Sequence, residues 1–126
     1  MKNKIKILIA DDNASMRQTL QEILIEKEYA AETIQNGYEL LIYLKEISAE
    51  RCADMIILDI MMPGRSGIEL LSTIRSVSPR TKIIIYTGLQ RYKHSIYANA
   101  ADKFVLKDGN TERLLEAVEE LAEQIS

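Results

Sequence analysis

The chain is short of the residues that mark several large protein classes. It carries one cysteine, Cys52, one histidine, His94, two prolines and five glycines among 126 residues. A lone cysteine excludes an internal disulfide and suits a reducing compartment. One histidine and one cysteine, far apart, do not make a zinc ligand set. With 47% hydrophobic and 28% charged residues and so little proline and glycine, disorder is not expected over most of the length, and no internal linker is found. A single domain covering residues 1–126 is expected. There is no basic excess either: the net charge is −3 and the isoelectric point near 5.2. Such a chain has no field for gripping a phosphate backbone, so direct nucleic-acid binding is not expected of it. Long apolar runs are absent too. Behind Met1-Lys2-Asn3-Lys4, the stretch from Ile5 to Ala10 is interrupted by Lys6 and is too short for a signal peptide or a membrane span. A cytoplasmic protein without membrane contact is the expectation.

What is present is a repeated alternation of strand and helix. Strand-like runs begin near Ile5, Ala31, Met55, Ile83 and Phe104, each followed by a segment long enough for one helix. Helical stripes occur at Met16, Leu20, Ile23 and Leu24, then at Leu40, Leu41, Leu44 and Ile47. Further stripes follow at Ile68, Leu71, Ile74 and Val77, ending before Pro79, and at Leu114, Val118, Leu121 and Ile125. The fourth helical segment, Gln90 to Asn99, offers little apolar area beyond Tyr92, Ile96 and Tyr97, so it is expected to be mobile. The runs at Met55 and Ile83 are almost continuously apolar, as strands covered on both faces are, whereas Ala30-Ala31-Glu32-Thr33-Ile34 is mixed and suits an edge. Right-handed crossovers between parallel strands then give an α/β, doubly wound sheet.

Each buried-looking run ends in a polar group with a chemical talent. Asp11 and Asp12 follow the first, Asp59 the third, Thr87 the fourth and Lys107 the fifth. Ligands of open α/β sheets bind outside the carboxyl ends of the strands, so these groups should converge. Asp12 or Asn13 could instead cap the helix beginning near Ala14. Asp59 is followed by the turn Met62-Pro63-Gly64 and has no helix start nearby to cap. Three carboxylates brought together must share protons or recruit a cation, and Mg²⁺ takes such oxygen ligands while bridging to phosphate. An aspartate can itself be the nucleophile of phosphoryl transfer, with Lys107 as a point cation and Thr87 as a hydroxyl donor.

Asp11-Asp12, the pattern Asp59-x-x-Met62-Pro63-x-x-x-Gly67, Thr87-Gly88 and Phe104-x-x-Lys107, in that order, resemble the receiver domain of bacterial two-component response regulators over essentially the whole chain. The resemblance implies a CheY-like, flavodoxin-like (βα)5 domain with strand order 2-1-3-4-5. It implies that Asp59 accepts a phosphoryl group from a phosphohistidine on a histidine kinase or phosphotransfer protein. Asp12 and Asp59, with Asp11 directly or through water and the backbone carbonyl of Met61, would hold Mg²⁺, and Lys107 would pair with the phosphoryl group. Thr87 would move inward and Phe104 change rotamer, passing the signal to an output partner or attached effector domain, with a phosphorylation-linked homodimer as one form of output. A differential gain of roughly 3 kcal/mol would move such an equilibrium about 150-fold. Surface candidates for the output are Tyr92, Tyr97 and Lys103, and Ser15 and Gln18 bear on the choice of kinase.

Two departures carry expectations. Asp108 follows Lys107 where many receivers have proline, which favours a trans peptide, because a cis bond there costs about 3 kcal/mol. The Lys-Asp pair resembles the NarL/LuxR type; the sequence suits either a stand-alone receiver or part of a longer regulator. Met61 and Leu89 stand where polar groups often influence water attack, so a long-lived phosphoryl form is expected. Among rivals, a phosphatase of the haloacid-dehalogenase type would need an acid at Met61, and histidine phosphotransfer through His94 would need a helical bundle. A receiver-like module that works without phosphorylation is the more serious alternative.

Overall fold

The computed structural model describes residues 4–88 and 96–125. Among these, five strands alternate with five helices: β1 (Lys6–Ala10), α1 (Ala14–Glu26), β2 (Ala30–Ile34), α2 (Gly37–Glu46), β3 (Met55–Leu58), α3 (Gly67–Val77), β4 (Lys82–Thr87), α4 (Ile96–Ala100), β5 (Lys103–Leu106) and α5 (Glu112–Glu123). All pairings are parallel and the strand order is β2-β1-β3-β4-β5, with mixed β2 at an edge as its pattern indicated. The sheet separates two apolar layers. Leu8, Ile56, Leu58, Ile83 and Ile85 pack on one face against Leu40, Leu44, Leu70 and Ile74 of α2 and α3. Ile7, Ile9, Ile57, Ile84 and Tyr86 pack on the other against Leu20 and Leu24 of α1 and Leu114, Val118 and Leu121 of α5. Period-two alternation on both faces is why the central strands read as unbroken apolar runs. Truncating a central residue such as Ile57 to alanine would cost about 2–5 kcal/mol.

Local sequence sets the helix starts. Asn13, Asn36 and Ser66 cap α1, α2 and α3, accepting hydrogen bonds from the backbone N–H groups of Met16, Glu39 and Glu69. One expected stripe needs correction. Ile68 is 45% exposed, and the buried face of α3 runs through Gly67, Leu70, Leu71 and Ile74. At 3.6 residues per turn, Ile68 lies roughly 100° around the helix from Gly67, off the seam. The mobility expected of the fourth helical segment concerns Gln90 to Asn99, most of which lies outside the described residues, as do Leu89, Tyr92 and His94.

The loop between β3 and α3 is fastened to the start of α2. Gly37 N–H donates to the Pro63 carbonyl at 3.0 Å, and a Cβ on Gly37 would meet Arg65 N at 2.7 Å. Gly64 has φ +108°, where side chains are strained, and packs against the Tyr38 ring. Both glycines thus let the segment just after Asp59 lie close against α2.

Candidate functional site

Register brings the polar strand ends together. Ala10 pairs with Leu58, Leu58 with Ile85, and Thr87 with Leu106. Asp11 and Asp59 therefore emerge side by side, with Thr87 and Lys107 on the next two strands. Backbone bonds continue the ladder, Asp59 N–H donating to Ala10 O at 3.0 Å and Lys107 N–H to Thr87 O at 2.8 Å. Asp11, Asp12 and Asp59 each offer a carboxylate oxygen within 4.8 Å of the others. Asp11 and Asp59 are buried, 3% and 6% exposed, while Asp12 opens to solvent. The cap of α1 belongs to Asn13, which leaves Asp12 free of that task.

Each buried carboxylate is divided between a local turn and a shared cation. Asp11 Oδ1 accepts from Asn13 N–H, and Asp59 Oδ1 from Met61 N–H, both at 2.9 Å. Their Oδ2 atoms lie 2.6 Å and 2.8 Å from Lys107 Nζ. Burial works against the charge on Lys107, but the hydrogen bonds and charges of Asp11 and Asp59 outweigh it and hold the ammonium above the usual lysine range. Three carboxylates against one ammonium leave a net negative cradle of hard oxygen donors, suited to a divalent cation.

Thr87 is fully buried, and its hydroxyl has no hydrogen-bond partner among the described residues. Buried polar atoms are seldom left so, and a group held ready for a ligand is one reason for it. Phe104 is partly buried beside the α2 and α3 layer and borders a cleft of about 250 Å³ with Lys103, Ala117 and Glu120. Lys103 is ion-paired with Glu120. No cis peptide occurs among the described residues, so Lys107-Asp108 is trans, as expected.

Two neighbours of the site went unnoticed in the sequence. Arg17 Nη1 donates to the Asp11 carbonyl at 2.8 Å, bracing the turn that carries the acidic pair. The Tyr86 ring lies under Lys107, with Nζ 5.7 Å from its centroid. Arg17 lay outside the apolar stripe of α1, and Tyr86 read simply as the last apolar residue of its run.

The sequence profile of the response regulator receiver domain matches residues 7–119. The chain belongs to that family. This receiver is 30% identical over 119 residues to chemotaxis protein CheY of Halobacterium salinarum, covering 92% of the chain and 95% of that protein. It is 29% identical over 128 residues to a nitrate/nitrite response regulator homolog of Haemophilus influenzae, covering 98% of the chain but 59% of that longer protein. Among solved structures, response regulator TrrA of Thermotoga maritima, in complex with Mg²⁺-BeF, superposes with a TM-score of 0.82 at 37% identity, over 94% of this chain and 99% of that one. TrrA in complex with the histidine kinase ThkA gives a TM-score of 0.80, over 94% and 98%. The doubly wound sheet of order 2-1-3-4-5 is thus a CheY-like receiver fold, and the family is one of signalling domains. Among the described residues, no helix is long and apolar enough to cross a membrane.

Proposed function

We propose that this receiver is a phosphoacceptor, with Asp59 taking a phosphoryl group from the phosphohistidine of a histidine kinase or phosphotransfer protein. The supporting observation is the convergence of Asp11, Asp12, Asp59, Lys107 and the unpartnered Thr87 hydroxyl at one sheet edge. Met61 N–H tethers Asp59 Oδ1, so Oδ2 is the oxygen free to attack once Lys107 passes from it to the incoming phosphoryl group. The new bond joins that oxygen to phosphorus as the P–N bond of phosphohistidine breaks, and the imidazole leaves with the electron pair and takes a proton. Asp11, Asp12, Asp59 and the Met61 carbonyl would hold Mg²⁺, which when bound supplies neutralisation of the transferring oxygens.

The switch follows from the groups left behind. Thr87 gains a phosphoryl oxygen as the acceptor it lacks among the described residues, and Phe104, partly buried beside the α2 and α3 layer, would change rotamer behind it. The readout passes to an output partner, an attached effector domain or a phosphorylation-linked homodimer. Ser15 and Gln18, both exposed on α1, are the residues that would bear on the choice of kinase.

The test is intact mass after incubation with acetyl phosphate, with and without Mg²⁺, comparing the native chain with Asp59→Asn. A Mg²⁺-dependent phosphoryl adduct that vanishes in the variant is expected. No adduct under any condition would overturn the phosphoacceptor reading in favour of a module that works without phosphorylation.

A further inference from the structure

Tyr86 and Thr87 are neighbours on β4, so their side chains stand on opposite faces of the sheet. Tyr86 belongs to the layer with Leu114 and Val118 and is 1% exposed. The Lys107 ammonium sits 5.7 Å from the centroid of this dry ring, within the range where a cation is drawn to an aromatic face. Its other partners are Asp11 Oδ2 and Asp59 Oδ2. Those carboxylates are the groups that a divalent cation and a phosphoryl group would claim. The ring is a contact that neither event removes.

We propose that Tyr86 is the positioning residue for Lys107, its ring holding the ammonium at the strand edge while Asp11 and Asp59 exchange that cation for metal and phosphoryl group. The inference rests on Asp59 being the phosphoacceptor. It assigns the residue before Thr87 to the transfer step, separate from the switch that Thr87 serves. Loss of the aromatic face costs roughly tenfold in the rate of transfer.

A first test reads position without activity. In the chain labelled with ¹³C at lysine Cε, the Lys107 methylene protons are expected to carry an upfield ring-current shift that persists on adding Mg²⁺ and beryllofluoride and is absent in Tyr86→Leu. Disappearance of the shift in the native chain on adding those probes would overturn the proposal. The second test follows acetyl phosphate labelling by intact mass. Tyr86→Leu is expected to lower the maximal rate about tenfold without moving the Mg²⁺ half-saturation, and Tyr86→Phe to recover most of the loss. Because Tyr86→Leu opens the core, fluorinated phenylalanines at position 86 supply a series of nearly constant shape. A graded fall in rate with fluorination is expected, and a flat series would overturn the proposal. Labelling of the native chain that survives Asp59→Asn, or no labelling at all, would instead defeat the reading of Asp59 and this inference with it.

Discussion

Replacing Thr87 by valine should make the resting protein more stable and its response weaker. Thr87 is fully buried with an unpartnered hydroxyl, so the folded state carries the desolvation of that group without return, about 1–3 kcal/mol. Valine has nearly the same shape, suits a strand, and needs no partner. Thr87→Val is therefore expected to raise stability by about 1–2 kcal/mol, or the melting temperature by roughly 3–8 °C for a domain of this size. Urea titration should show a higher midpoint at an unchanged slope. Saturating Mg²⁺ and beryllofluoride should then stabilise the native chain more than the variant, by the hydrogen bond that only threonine can make to a charged acceptor, about 1.5–3 kcal/mol. A lower melting temperature in the variant would mean that water or another group satisfies the hydroxyl at rest. Equal stabilisation of both proteins by the probe would refute the role of Thr87 as the group that reads the ligand.

Further outcomes follow from the same geometry. Lys107→Met removes the cation that competes for Asp11 and Asp59, so Mg²⁺ affinity by calorimetry should rise roughly tenfold, and a fall would mean that the ammonium helps to order the cradle. Lys107 contributes stability that is complete below its ordinary pKa of 10.5 and is lost only as pH rises through its higher folded value. Burial pushes the Tyr43 hydroxyl up to about 12 from 10.0, so the unfolded chain ionises first and stability falls as pH climbs from 10.0 towards 12; Tyr43→Phe should flatten alkaline melting curves over that window. Gly64→Ala places a Cβ 2.8 Å from Tyr38 Cδ2 at φ +108°, and a drop of about 1–2 kcal/mol in urea-derived stability is expected. Met61, half exposed and apolar beside Asp59, gives attacking water no polar guide, so the phosphoryl adduct should outlast minutes in Mg²⁺ buffer; decay within seconds would contradict that.

The legible part of this protein is the part governed by short-range periodicity. Met55–Leu58 and Lys82–Thr87 are central strands because both faces are covered, and that leaves an apolar run visible without coordinates. The polar residue ending each run was legible for the same reason. Ile68 was misplaced because a stripe of four apolar residues fits more than one helical phase, and only packing against the sheet and α2 chooses between them. Arg17 and Tyr86 escaped notice because their roles depend on long-range proximity. Arg17 reaches a backbone carbonyl and Tyr86 lends a ring face, and neither task leaves a required residue type at a fixed spacing.

Charge balance explains why the same few residues serve rest and response. At rest the ammonium of Lys107 offsets part of the repulsion among three carboxylates, at the cost of occupying both buried Oδ2 atoms. Two negative charges remain uncompensated, which is what one divalent cation neutralises. A phosphoryl group on Asp59 would then bring new negative charge, and the groups placed to meet it are the ammonium released from the carboxylates and the hydroxyl of Thr87. Lys107 answers the charge wherever it sits, so it can serve both states. The Thr87 hydroxyl has no partner among the described residues and would gain one only when phosphoryl oxygens arrive, so on the proposed reading its contact differs between the states, and only a differential contact can shift a conformational equilibrium. On the proposed reading, the work of catalysis and the work of signalling would in this way be divided between two adjacent strands.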